Sequence, residues 1–176
     1  MTVIHLNADI DAMTSATFGL RTHSPGSGLN EPWLGKITIE GNGYAIDGKG
    51  RVNSALRFHN RFDLAPGTSK IILRNLTMKN LNSSIGYGGG AVGVRQGELE
   101  IENCAFIGNS WIPAEPAFTQ RGGGAVYSER VGGTLKITNS TFYGNGTSAN
   151  SAPSAGSSAG RRCGVYYPAA RELTRL

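Results

Sequence analysis

Residues 88–109 read GGGAVGVRQGELEIENCAFIGN, and residues 122–145 read GGGAVYSERVGGTLKITNSTFYGN. Gly-Gly-Gly-Ala-Val returns after 34 residues, from 88 to 122. Leu99, Ile101, Asn103, Phe106 and Asn109 return after 36 as Leu135, Ile137, Asn139, Phe142 and Asn145. Self-similarity at such a period is the mark of a stacked repeat, in which each unit buries its apolar face against the next. Leu-x-Ile-x-Asn alternates apolar and polar residues, so its apolar members share one face of a strand. Asn tolerates left-handed backbone angles and its amide both donates and accepts. Asn103 with Asn139, and Asn109 with Asn145, are therefore expected to form ladders at two corners of the pile. The glycine triplet suits a corner where backbone passes close to backbone, and it opposes a helix.

Working outward, residues 70–78 (KIILRNLTM) are a degenerate copy. Ile71, Leu73, Asn75 and Met78 match Leu99, Ile101, Asn103 and Phe106 after 28 residues. Ile37–Ile46 reads as a further layer, with strands at Lys36–Glu40 and Tyr44–Ile46 around Gly41-Asn42-Gly43. Val3-Ile4-His5-Leu6 and Ile10 read as a first strand or coil, residues 15–33 as a long loop, and Ala55–Phe58 as a short strand. The sequence therefore predicts an all-β chain, a right-handed single-stranded parallel β-helix of few coils. Its body spans residues 1–145, with the clearest repeats at 70–145, followed by a Gly/Ser/Ala-rich linker and irregular tail at 146–176. A third Gly-Gly-Ala-Val is due near residue 160, where the chain reads AGRRCGVYY from Ala159 to Tyr167. Codons for those residues read one base later can spell Gly-Gly-Ala-Val followed by a Tyr, and a frameshift or a gene-call error is the expected reason that the pattern ends.

Charge excludes little. The net +5 is concentrated in the tail, and the body, with 13 basic and 11 acidic residues, carries only +2, so no nucleic-acid partner is expected. No apolar run is long enough to span a bilayer. The first residues, MTVIHLNADIDAMTS, lack the basic and apolar regions of a signal peptide, and the chain is expected to be a fragment missing its true beginning.

Gly89-Gly90-Ala91-Val92 with Phe106-Ile107-Gly108-Asn109, and Gly123-Gly124-Ala125-Val126 with Phe142-Tyr143-Gly144-Asn145, resemble the repeats of the polymorphic outer membrane proteins, named for chlamydial surface proteins. Residues 37–48 (ITIEGNGYAIDG) resemble the N-terminal coils of pectate-lyase-like right-handed β-helices. The resemblance covers about residues 36–145. It implies an exported bacterial protein at the cell surface or outer membrane, an adhesin or autotransporter-passenger-like element. It implies extracellular or host-cell glycans or proteins as partners.

Pectate-lyase-like helices also host carbohydrate-cleaving enzymes, so catalytic parts were sought. Glu98, Glu100 and Glu102 fall on one outward strand face, as the carboxyls of a hydrolase would. Read from the residues they are a solvated face, with Lys136 set to pair with Glu100 one layer away. A calcium or sugar site is the lesser reading. Asp47, in Asp-Gly-Lys-Gly, reads as a turn former bonding its own backbone, and Asp63 with Arg61 as a surface pair. His5, His23 and His59 have no metal-ligand spacing, and no Gly-x-Ser-x-Gly elbow or phosphate loop occurs.

Cys104 and Cys163 make no disulfide framework; Cys104 takes the slot of Leu76 and Ser140 and is expected to be a free thiol. Asn75, Asn139 and Asn145 match the glycosylation pattern but read as ladder and turn residues. Trp33, Tyr87 and Trp111 read as loop aromatics anchoring the edge of the coil. No catalytic residue, metal or cofactor is assigned and no binding residue is named. The expected protein is a non-enzymatic monomer whose open sheet edges carry an aggregation risk, with a polysaccharide lyase or glycosidase as the rival reading and an inert structural fragment as the third.

Overall fold

The computed structural model describes residues 1–11, 35–50, 56–59, 69–83, 88–95, 97–112, 122–129, 134–147 and 165–166. These residues form an all-β structure of parallel sheets with no helix among them. The first unit contributes β1 (Thr2–His5) and β2 (Ile10–Asp11), and the second β3 (Gly35–Glu40), β4 (Ala45–Asp47) and β5 (Leu56–His59). The third holds β6 (Ser69–Arg74), β7 (Thr77–Lys79), β8 (Asn82–Ser83), β9 (Gly88–Gly89) and β10 (Val92–Arg95). The fourth repeats that set as β11 (Glu98–Glu102), β12 (Ala105–Ile107), β13 (Ser110–Trp111), β14 (Gly122–Gly123) and β15 (Val126–Glu129). Then come β16 (Leu135–Thr138), β17 (Thr141–Tyr143), β18 (Gly146–Thr147) and β19 (Val165–Tyr166).

Each unit places its strands in the same sheets in the same order. One sheet runs β1-β3-β6-β11-β16 and a second β2-β4-β7-β12-β17, while β8-β13-β18, β9-β14 and β5-β10-β15-β19 make three more. The registers match the spacings in the sequence. Leu99 sits between Ile71 and Leu135, Ile101 between Leu73 and Ile137, and Phe106 between Met78 and Phe142. The Phe106 and Phe142 rings stack with centroids 4.8 Å apart and planes 6° from parallel. That separation is the ordinary spacing of neighbouring strands in a sheet, so identical residues at identical register must stack.

Alternation explains the burial. Along β11, Leu99 and Ile101 are buried while Glu98, Glu100 and Glu102 are half-buried. One apolar cluster joins Ile39, Ile71, Leu73, Leu99 and Ile101 of the first sheet with Ile46, Met78 and Phe106 of the second. Leu56, Phe58, Val92, Val94 and Val126 of the β5-β10-β15-β19 sheet complete it.

The corners use asparagine as expected, with one difference. Asn75, Asn103 and Asn139 adopt φ of 51°, 53° and 47°, the left-handed region that Asn tolerates best after Gly. Here Asn103 Nδ2 donates to Asn75 Oδ1 at 3.3 Å, and Asn75 Nδ2 donates to Glu40 Oε1 at 2.8 Å. The expected Asn103–Asn139 bond is not among those of the described residues; the amide turns to the unit before it instead. At the second corner the ladder is as expected: Asn109 Nδ2 donates to Asn145 Oδ1 at 2.9 Å, with both side chains buried.

One expectation is corrected. Trp111 is not a loop aromatic: it lies in β13, between Ser83 and Thr147, and is 1% exposed. The strand is only two residues long, too short for alternation to reveal it in the sequence. Pairing also runs past residue 145, because β18 lies on β13 and Val165–Tyr166 pair in register with Val126–Tyr127. Val165-Tyr166 thus falls in line with Val126-Tyr127, inside the segment expected to have left the repeat. The long loop at 15–33, Trp33, Tyr87, the Arg61–Asp63 pair, His23 and Cys163 lie outside the described residues.

Candidate functional site

The outer face of the first sheet carries the three glutamates. Parallel register sets Lys36, Lys70 and Glu98 in one row, Thr38, Ile72, Glu100 and Lys136 in a second, and Glu40, Arg74, Glu102 and Thr138 in a third. Glu100 Oε2 lies 2.7 Å from Lys70 Nζ and its Oε1 lies 3.6 Å from Lys136 Nζ. The expected pairing with Lys136 is present, and the diagonal one with Lys70 is the closer. Glu102 Oε2 lies 2.9 Å from Arg74 Nε, at an angle that makes it an ion pair and not a hydrogen bond. The Lys70 ammonium holds the Glu100 carboxyl below its ordinary range, against the upward push of burial, and Lys136 adds to the effect.

This arrangement bears on one role for Glu100. A general acid must hold a proton near neutral pH, which requires a carboxyl pushed upward. Glu100 is pushed the other way. Among the described residues, no group of three or more His, Cys, Asp or Glu side chains is placed to hold a metal ion. Lys70 and Arg74 were not picked out in the sequence, although the displacement of 28 that aligns Ile71 with Leu99 also sets Lys70 opposite Glu98 and Arg74 opposite Glu102.

Asp47 is the second charged centre. Its Oδ1 accepts the Lys49 N–H at 2.9 Å, the expected turn bond, and also the Asn80 amide at 3.1 Å. Its Oδ2 lies 3.2 Å from Lys49 Nζ and 3.5 Å from Lys79 Nζ, and Lys49 Nζ reaches Asp11 Oδ2 at 3.2 Å. Asp11, Asp47 and Lys79 share a row because β2, β4 and β7 are neighbours. A reading of the Asp-Gly-Lys-Gly turn alone cannot find partners that arrive from the units on either side.

Burial pushes the buried Asp47 carboxyl upward, but the Lys49 N–H, the Asn80 amide and the Lys49 ammonium outweigh it and bring it down from 3.8 to about 2. A carboxyl lowered on folding stabilises the folded state above its unfolded value and loses that contribution as pH falls through the folded one. The stabilisation, about 2 kcal/mol, is therefore full above pH 4 and fades toward pH 2. Asp47→Asn is expected to be destabilised near neutral pH and to converge on the parent protein in acid. Urea unfolding over that pH range reads this directly, and a gap that stays constant with pH contradicts it.

Cys104 is a free and buried thiol in the slot it shares with Leu76 and Ser140, and its N–H donates to Ser140 Oγ at 3.1 Å. Burial raises the thiol above its ordinary range, which suppresses the nucleophilic thiolate. His5 is exposed on β1 beside Glu40 in register. No helix among the described residues is long and apolar enough to cross a membrane. The chain matches no family model, no curated protein and no solved structure.

Proposed function

We propose that the five sheets are faces of one right-handed parallel β-helix, and that it serves as a non-enzymatic adhesive or spacer element of an exported bacterial surface protein. The observation that carries the winding is the constant order of strands: successive units enter the same sheets in sequence, and one apolar cluster is fed by three of those sheets. Parallel strands joined by crossovers favour the right hand almost without exception. The resemblance to polymorphic outer membrane protein repeats supports the surface role. So does the physics of stacking, which gives a long rigid outer surface from a short repeat.

The non-enzymatic reading rests on the outer face of the first sheet, where Glu100 and Glu102 are matched to Lys70, Lys136 and Arg74. Such a face suits contact more than proton transfer. The partners that fit the reading are extracellular or host-cell glycans or proteins.

The test pairs a glycan and cell-binding array with assays for reducing ends and unsaturated products from a panel of polysaccharides. Binding without turnover is the expected result, unchanged in Glu100→Gln. Turnover that disappears in Glu100→Gln would establish the polysaccharide lyase or glycosidase instead, and neither binding nor turnover would leave a structural element only.

A further inference from the structure

Asn-Gly occurs twice in the sequence, as Asn42-Gly43 and Asn145-Gly146, and Asp-Gly once, as Asp47-Gly48. These are the steps at which a polypeptide most readily modifies itself, because glycine has no side chain to shield its nitrogen from the side-chain carbonyl before it. The first lies between β3 and β4, the Asp-Gly step at the end of β4, and the last at the start of β18. In all three the glycine N–H is given to a neighbouring unit. Gly43 N–H donates to Asn75 O at 2.8 Å, Gly48 N–H to Lys79 O at 2.9 Å and Gly146 N–H to Asn109 O at 2.9 Å. The asparagine side chains are held as well. Asn42 is exposed, and its Nδ2 donates to Leu6 O of the first unit at 2.9 Å. Asn145 is buried: its Nδ2 donates to Phe106 O at 2.8 Å, and its Oδ1 accepts both the N–H and the Nδ2 of Asn109, each at 2.9 Å.

We propose that Asn42 and Asn145 are self-modification sites, kept silent by the stacking of units and released when a unit opens. The Gly43 nitrogen attacks Asn42 Cγ and closes a five-membered succinimide ring. The bond from Cγ to Nδ2 breaks, and the proton lost by the Gly43 nitrogen leaves with Nδ2 as ammonia. Water, the one co-reactant, then opens the ring. Cleavage of the ring bond to Cγ gives aspartate, and cleavage of the bond to the main-chain carbonyl carbon gives isoaspartate, with a main chain one methylene longer. The same steps apply at Asn145 and Gly146.

A glycine N–H that is bonded to a carbonyl of the next unit cannot also surrender its proton to ring closure. Reaction therefore draws only on molecules in which that contact is open, as amide hydrogen exchange does. The product does not return to the stack unchanged. Conversion at Asn145 removes the donor to Phe106 O, and conversion at Asn42 puts a carboxylate beside Glu40, whose Oε1 accepts the Asn42 N–H at 3.2 Å. Opening of a corner is thus made permanent. Asp47 stays inert near neutral pH, because an ionised carboxyl is a poor target for attack and Lys49 and Asn80 hold it ionised. Exposed Asn42 is released before buried Asn145. The inference depends on the corners and not on the surface role.

The test incubates the full chain in native buffer and in guanidinium chloride at one neutral pH and temperature. Peptide mapping by mass spectrometry follows both sites, and enzymatic methylation identifies isoaspartate. In denaturant the two sites are expected to convert at similar rates. In native buffer both are expected to be slower by about tenfold or more, Asn145 the more strongly. Gly146→Ala, whose added methyl meets nothing among the described residues, is expected to fold as the parent does, to silence Asn145 in denaturant and to leave Asn42 unchanged. Native rates equal to those in denaturant overturn the inference, as does the absence of conversion in denaturant. Equal slowing at both sites also overturns it, since only unfolding of the whole molecule would then release either.

Discussion

Gly90→Ala is expected to cost about 3 kcal/mol or more, or to abolish cooperative unfolding, although it adds a single methyl group. Gly90 is the third glycine of the first triplet, and a Cβ there would be driven into the carbonyl oxygen of Gly124 and the backbone carbonyl of Ser110. Both obstacles are main chain. A flexible side chain can swing aside, but these atoms are held by neighbouring strands, including the bond from the Gly90 N–H to Gly123 O at 3.1 Å. Gly124 is in the same position one unit later, where a Cβ would meet the Gly146 backbone.

Gly146 supplies the contrast: among the described residues nothing lies within 4 Å of a Cβ built on it, and its φ is not positive. Gly146→Ala is expected to be neutral or to stabilise by about 0.5 kcal/mol, through the reduced freedom of the unfolded chain. Urea midpoints of the two variants measure the difference. If both lie within a few tenths of a kcal/mol of the parent protein, the close approach at this corner is not a constraint on the fold.

The glycine triplets also mark the limit of what the residues reveal in advance. That Gly-Gly-Gly-Ala-Val is a corner is legible from its recurrence, and so are the rows through Leu99, Ile101, Phe106 and Asn109. Each is a repeat of type at fixed spacing, and spacing becomes register once strands are parallel. Which glycine meets which backbone is not legible, since Gly90 faces Ser110 from 20 positions away across a different sheet. The same holds for charge. Glu100 with Lys136 follows from the displacement of 36, whereas Lys70 reaches Glu100 along a diagonal that row-by-row alignment does not examine. Asp47 reads as a turn former and is one, and Lys49 of that turn lowers it, but the Asn80 amide that adds to the effect, and Lys79 beside it, come from the next unit. The burial of Trp111 is hidden in the sequence for a related reason: two-residue strands carry no period, and only pairing with Ser83 and Thr147 reveals this one.

The second large effect lies at the asparagine corner. Asn109 is fully buried and its side chain makes three bonds: Nδ2 donates to Met78 O at 2.9 Å and to Asn145 Oδ1 at 2.9 Å, and Oδ1 accepts the Leu81 N–H at 3.1 Å. Asn109→Ala would leave the Leu81 N–H unsatisfied where water has no access, at about 1–3 kcal/mol, and would take from Met78 O a bond additional to the β7–β12 ladder. A loss of about 3–5 kcal/mol is expected once the cavity is added. Asn109→Asp keeps the volume but turns lone pairs toward Met78 O and Asn145 Oδ1. Its introduced carboxyl is therefore expected to prefer the protonated form, which can donate to one of them. A carboxyl raised on folding makes the variant recover stability as pH falls, the opposite sense to Asp47. Asn103→Ala, at an exposed corner with φ of 53°, gives up the local left-handed preference and one long, solvent-exposed bond to Asn75, about 1 kcal/mol together, and Asn103→Gly, which loses only that exposed bond, is expected to be close to neutral. Urea unfolding of the four variants at two pH values separates a buried amide ladder from a mere preference for asparagine in turns. Equal losses for Asn109→Ala and Asn103→Ala would show that the ladder bonds contribute nothing beyond backbone conformation.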